Sequence, residues 1–328
     1  MKLLHSLLLV IVAVMSAVAP GAVRAQSANA FPTKVVTLVV PYTANSGSDI
    51  IARVLAPRLA ARWGQPVIVD NKPGASGNLG TNQVAKAPPD GHTLLMMINS
   101  ITMTPSLYKS TPYDLVADFA PVAKLAEASF TLAVNPSVPA KDMPSLIAYI
   151  KKNGGKVSYA SPGNGTPQHL GMELLKSRYE LDMLHVPYKG IAGALTDLMG
   201  GQVQLMFGSV HSMLPSAQSG RVRLLAVTGA ARNPLAPEVP TFREQSIEVL
   251  ESVDAWYGVM APAHTPPELV ARLHRDFIAV VGMEDVKVEL AKLGLSVRTS
   301  SPEQLATLVK TDLLRWRKVI KDAGITAE

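Results

Sequence analysis

Three stretches of this chain set Gly, Ser, Thr, Asn and Pro between an apolar, β-branched run and a helical pattern. They are Pro41–Ser48 in TLVVPYTANSGSDIIARVL, Ser161–Thr166 in YASPGNGTPQHL and Pro187–Gly193 in HVPYKGIAG. Such residues let backbone N–H groups turn toward one point, and a helix start adds about half a positive charge. A carboxylate held there would gain charge-assisted hydrogen bonds of about 1.5–3 kcal/mol each, with no arginine required. The plainer reading of each loop is helix capping. Ser46-Gly-Ser-Asp49 spells a capping box, and Thr166 before Pro167 makes a good N-cap with proline at N1. Asp49 would repel an anion unless its charge is spent on its own helix or faces a cation, and the helix is the favoured reading.

Patterns for catalysis are sparse. GASGN lacks the final glycine of a nucleophile elbow, GNGTPQ holds only the first half of a dinucleotide fingerprint, and there is no P-loop. The seven histidines include no pair at ligand spacing, and the absence of cysteine removes thiolate zinc sites. The expectation is a protein that is not an enzyme and takes no metal or cofactor. An enzyme using the same loops stays open, because acid–base carboxylates need not be neighbours in sequence. His169 shares a short turn with Thr166 and Gln168 and reads as either helix packing or ligand contact. Lys189 reads as surface or cleft, and Trp256-Tyr257 as packing or hinge. In the apolar run LLMMIN, only Asn99 and the following Ser100 point to a cleft mouth.

The elements that must position these loops alternate between strand and helix, which favours an α/β architecture with largely parallel sheets. KVVTLVV is a strand, and SDIIARVLAPRLAARWG is a helix kinked at Pro57 and closed by Gly64. Thr265-Pro-Pro-Glu268 and Ser301-Pro-Glu-Gln304 read as capping boxes. Extended segments at about 129–135 and 252–260, each running on into prolines, interrupt the alternation, as crossings between domains do. The resulting division is 26–128 with 254–328 as a discontinuous lobe 1 and 129–253 as lobe 2, with a hinge at the crossings and a cleft between the lobes.

The 328 residues are 48% hydrophobic and 17% charged, a folded composition. MKLLHSLLLVIVAVMSAVAP, broken by Pro20 and followed by GAVRAQ, reads as a secretory signal over 1–25 rather than a spanning helix. Its removal takes Lys2 and Arg24 and no acid, lowering the formal charge from +6 by two to +4. With scattered basic residues and 5% aromatics, no nucleic-acid platform is expected. An exported chain without cysteine has neither a disulfide framework nor a lipid-modified N-terminal cysteine, so it is expected to be periplasmic, soluble and unanchored.

At these motifs the sequence resembles the tripartite tricarboxylate transporter receptor family, the Bug-type periplasmic solute-binding proteins. Besides the three loops, the resemblance rests on VDNKPGASGNLGTNQVAKAPPDGHTLL, TPYDLVADFAPVAKL, LLAVTGAARNP, VPTFRE and WYGVMAPAHTP, and it runs from about Phe31 to the C-terminus. It implies a two-lobed, type II periplasmic-binding-protein fold with two crossovers. It also implies a monomer that closes on a small organic carboxylate and hands it to a permease of one large and one small subunit. A sensing module serving a signalling partner is the alternative. Carried over, the ligand set is Tyr42, Thr43, Ala44, Asn45 and Ser46 from the first loop, to which the reading of the residues themselves adds Asn99 and His169. Ser161, Asn164, Thr166, Tyr188, Lys189 and Gly190 come from lobe 2. Asn45-Ser46 stands where the family usually has paired glycines, and His92 where it has tyrosine.

Overall fold

The structure is a computed structural model that describes residues 31–44, 46–188, 190–250 and 253–326. The expected signal segment, Asn45 and Lys189 lie outside the described residues. The chain divides into Met1–Phe31 and Pro32–Glu328, and both sheets belong to the second unit. No helix among the described residues is long and apolar enough to cross a membrane.

β1 (Val36–Val40), β2 (Val67–Asn71), β3 (Thr93–Ile98) and β4 (Phe119–Ala128) belong to the first sheet. The chain then passes through Ser129 alone into β5 (Phe130–Val134), the first strand of a second sheet. That sheet is completed by β6 (Ser158–Ser161), β7 (Leu184–Pro187), β8 (Leu205–Ser209) and β9 (Arg223–Val227). The return is made into β10 (Ala255–Pro262), and β11 (Ser296–Val297) closes the first sheet. Strand orders are β11-β4-β10-β3-β1-β2 and β7-β6-β8-β5-β9, so the protein is a two-lobed α/β fold with two crossings.

The sheets are mixed rather than largely parallel. β1 runs parallel to β2 and β3, and β6 parallel to β7 and β8, but the strands beside the crossings run antiparallel: β10 against β3 and β4, β5 against β8 and β9. A strand arriving directly from the other lobe needs no crossover helix, so it can enter against its neighbours. The strand-to-helix loops stay on the parallel side. There, β1 feeds α1 (Gly47–Trp63), followed by α2 (Asn78–Ala85) and the short α3 (Thr104–Leu107). The second lobe carries α4 (Met143–Lys152), α5 (Pro167–Tyr179), α6 (Ile191–Met199) and α7 (Val210–Gln218). α8 (Pro267–Val281), α9 (Glu284–Lys292) and α10 (Pro302–Asp322) return to the first.

Local signals account for several helix ends. Gly64 adopts φ 67° to close α1, which continues through Pro57, and the Ser301/Gln304 capping box forms in both directions. The expected box at Thr265 does not form. Its hydroxyl donates to the Pro262 carbonyl at 2.7 Å, and α8 has no side-chain cap. A residue before proline is pushed out of the α region, so Pro267 makes Pro266 the N-cap and leaves threonine one position early.

Each lobe has its own core. Leu94, Leu95, Met96 and Met97 of β3 are fully buried, as are Leu132, Ala160, Met206 and Phe207 in the second sheet. α10 is pinned to the first lobe by a buried polar pair, in which Trp256 Nε1 donates to Asp312 at 2.8 Å. Asp312→Ala deprives a buried indole of its acceptor and is expected to lower unfolding free energy by about 1–3 kcal/mol in urea denaturation. Asp312→Asn, which keeps an acceptor, is expected to recover most of that loss.

Candidate functional site

The first loop begins where β1 ends. Parallel pairing sets Val40 opposite Asn71, and the Asn71 side chain donates to the Tyr42 carbonyl at 3.1 Å. The same amide donates to Asp49 Oδ1 at 2.9 Å, while Arg53, one turn along α1, grips both Asp49 oxygens at 3.0 and 2.9 Å. The carboxylate that threatened to repel an anion is therefore buried and matched by a guanidinium on its own helix. Ser46 caps α1 by accepting the Asp49 amide at 3.4 Å, but the box is one-sided, since the Ser46 N–H goes to the Thr43 carbonyl.

The amides of Gly47 and Ser48, the first in α1, have no hydrogen-bond partner among the described residues, and neither does the buried Ser48 hydroxyl. Tyr257 of the return strand stands over this turn, so close that a Cβ on Gly47 would lie 2.3 Å from its hydroxyl. Burial pushes the Tyr257 phenol up to about 12, keeping it a neutral donor near neutral pH.

Tyr42 is half-buried, and Thr43 and Ala44 are exposed. The Tyr42 hydroxyl shares a 2.8 Å hydrogen bond with Ser100, and its pKa is raised by burial. Nearby, Ser76 and Tyr108 share one of 2.9 Å, with Ala75 and Ser76 both at positive φ. Ser76, the serine of GASGN, and Tyr108 were not among the residues expected to bind ligand. Asn99 is buried, its amide donating to the Asp254 carbonyl at 2.8 Å, while its Oδ1 has no hydrogen-bond partner among the described residues.

In the second lobe, Ser161 is buried and its Oγ is engaged by the Gly163 amide at 3.2 Å and by His185 Nε2 at 2.7 Å. Thr166 caps α5 through the His169 amide and donates to the Gly163 carbonyl at 2.8 Å. His169 is buried, and its Nδ1 accepts the Gly165 amide at 3.0 Å. Asn164 is exposed at the tip. Tyr188 turns its hydroxyl to Asp197 at 2.6 Å, and its amide goes to Ser161 O. The Gly190 amide goes to Pro162 O at 3.1 Å. The amides of Tyr188 and Gly190 thus tie the second and third loops together instead of facing outward.

The lobes meet at these loops. Gly165 adopts φ +70°, and a Cβ there would come within 2.7 Å of Leu107 Cδ1 in α3, next to Tyr108. A separate cavity of about 800 Å³ opens on the hinge side, lined by Glu127, Asp254, Trp256, Asp312 and Arg315 among others, and by none of the residues expected to bind ligand. Asp254, which accepts the Thr228 hydroxyl, is pushed up to about 7, chiefly by burial.

Two sheets joined by two crossings, with helix-start loops meeting between them, define a two-lobed solute-binding protein. The model of the "Tripartite tricarboxylate transporter family receptor" matches residues 51–325, and the chain belongs to this family. It is 37% identical over 311 residues to the "UPF0065 protein in tcbD-tcbE intergenic region" of Pseudomonas sp. (strain P51), covering 95% of this chain and 93% of the relative. Among solved structures it is similar to R. palustris Rpa4515 with adipate, at 35% identity and TM-score 0.76, covering 90% of this chain and 99% of the other. MatC from Rhodopseudomonas palustris with bound malate is 32% identical with TM-score 0.72, covering 88% and 100%.

Gly165→Ala meets both a left-handed backbone and Leu107, so an unfolding free energy lower by about 1–3 kcal/mol is expected from denaturant titration. Adding Leu107→Ala is expected to relieve the steric share of that loss and to show non-additivity in a double-mutant cycle.

Proposed function

We propose that this chain captures a small organic carboxylate between its lobes in the periplasm and delivers it to the membrane subunits of a tripartite transporter. The observation that carries this reading is the start of α1. Two amides and a hydroxyl lie there without partners among the described residues, beside a carboxylate already neutralised by Arg53. A helix start in that condition is suited to an anion. Similarity to family members bound to adipate and malate supports a carboxylate as that anion.

In this reading Tyr42, Thr43, Ala44, Asn45 and Ser46 form the first wall. Asn164 and Thr166 contribute from the second lobe, and Tyr188, Lys189 and Gly190 complete the proposed set. Ser161 and His169 hold the second loop in shape, and Asn99 serves the hinge. No transferable group or paired acid and base is assigned, and the ligand leaves unchanged.

Ligand-stripped protein is tested by thermal shift against a panel of acids that includes malate and adipate. At 100 times Kd, a true ligand is expected to stabilise by about 2.7 kcal/mol. A panel in which no acid stabilises the protein counts against the proposal. Replacing Asn45 and Ser46 together by glycine is expected to change the rank order of acids while leaving the ligand-free melting temperature within a few degrees. An unchanged rank order would leave both residues as loop structure only.

A further inference from the structure

The second-lobe loop is held by two imidazoles that come from separate elements. His169, in the first turn of α5, and His185, in β7, stack with ring centroids 3.8 Å apart and planes 10° from parallel. Tyr159 of β6 extends the stack, with its centroid 4.9 Å from that of His185. Both imidazoles bond to the loop, His169 Nδ1 to the Gly165 amide at 3.0 Å and His185 Nε2 to Ser161 Oγ at 2.7 Å. A backbone amide can only donate, so Nδ1 of His169 must keep its lone pair and the ring is neutral, with its proton on Nε2. Protonating Nδ1 would set N–H against N–H at Gly165, where an added Cβ would run into Leu107 of the other lobe.

We propose that His169, with His185 stacked on it, is a positioning residue that holds the loop Ser161–Thr166 in shape while neutral and releases it when protonated. The charged and titratable groups around the pair are few. Glu173 and Lys176 of α5 pair at 2.9 Å, and the Glu173 carboxylate also accepts the Tyr159 hydroxyl. From α10, which packs on α5, Lys318 and Asp322 pair with each other along the groove they share with Glu173 and Lys176. Glu248, on the turn beside α5, lines the hinge cavity instead.

Burial lowers the pKa of both rings, outweighing Glu173, and His169 further lowers that of His185, to about 4. A histidine whose folded pKa is depressed contributes stability that is complete above its unfolded value of about 6.5 and is lost as pH falls through the folded value. The clip is therefore closed at neutral pH and opens in acid. Its consequence for capture rests on the carboxylate-binding reading, in which this loop is the second wall of the site: affinity falls as the clip opens.

The test follows the imidazole resonances of the intact, ligand-free protein and the Gly165 amide by NMR from about pH 7.5 to about pH 4. The Gly165 amide is expected to shift with the midpoint of His169. In His169→Asn, whose Oδ1 accepts the same amide but does not titrate, that shift is expected to vanish. A Gly165 amide that stays constant while His169 titrates would overturn the proposal, as would one that titrates unchanged in His169→Asn. Because no ligand is present, failure of the acid panel leaves this readout intact and counts only against the carboxylate reading.

Discussion

A helix that starts inside a protein leaves its first amides without carbonyl partners, and the first loop here is organised around that deficit at α1. Ser46 satisfies one amide, and the remaining positive end is not cancelled by Asp49, because Arg53 and Asn71 hold that carboxylate. Asn71 also grips the Tyr42 carbonyl, so neutralising Asp49 and shaping the loop are one network. Tyr257 closes the turn from above and requires glycine at position 47. In the second and third loops, the amides of Tyr188 and Gly190 go to the Ser161 and Pro162 carbonyls and that of Gly165 goes to His169, which ties the two loops together.

The hinge carries a different chemistry. Ser129 alone separates β4 from β5, so the first crossing is nearly continuous strand. At the return crossing, Asp254 receives the Asn99 amide on its carbonyl and the Thr228 hydroxyl on its carboxyl, joining the last strand of the second sheet to the first lobe. Asn99 and Asp254 thus link the end of β3 to the start of β10 at the return crossing. α10 adds a further tie, because it belongs to the first lobe and also packs on α5 of the second.

The strand, loop and helix succession at each anion-suited turn was legible because it depends on local propensities: β-branched runs, small turn residues, and caps such as Ser46, Thr166 and Ser301. The two crossings were legible from proline and extended texture. Where prediction failed, non-local geometry was the cause. Thr265 lost its capping role to the Pro266-Pro267 pair. Largely parallel sheets gave way to mixed ones once β5 and β10 arrived directly from the other lobe. Histidines with no ligand-like spacing were stacked by the pairing of β6 with β7 and the packing of α5 behind them.

By itself the sequence determined the α/β alternation, the discontinuous first lobe and the chemical character of the three loops, since these follow from residue type and short-range spacing. Only the tertiary structure decided which donors stay free. Arg53 follows Asp49 by one helical turn, but Asn71, Tyr257, Leu107 and His185 reach their loops through strand register and lobe contact, which no local pattern encodes. An amide faces a ligand only when nothing else in the fold claims it. Among the described residues the amides of Gly47 and Ser48 have no such claimant, whereas those of Tyr188 and Gly190 are taken by Ser161 and Pro162.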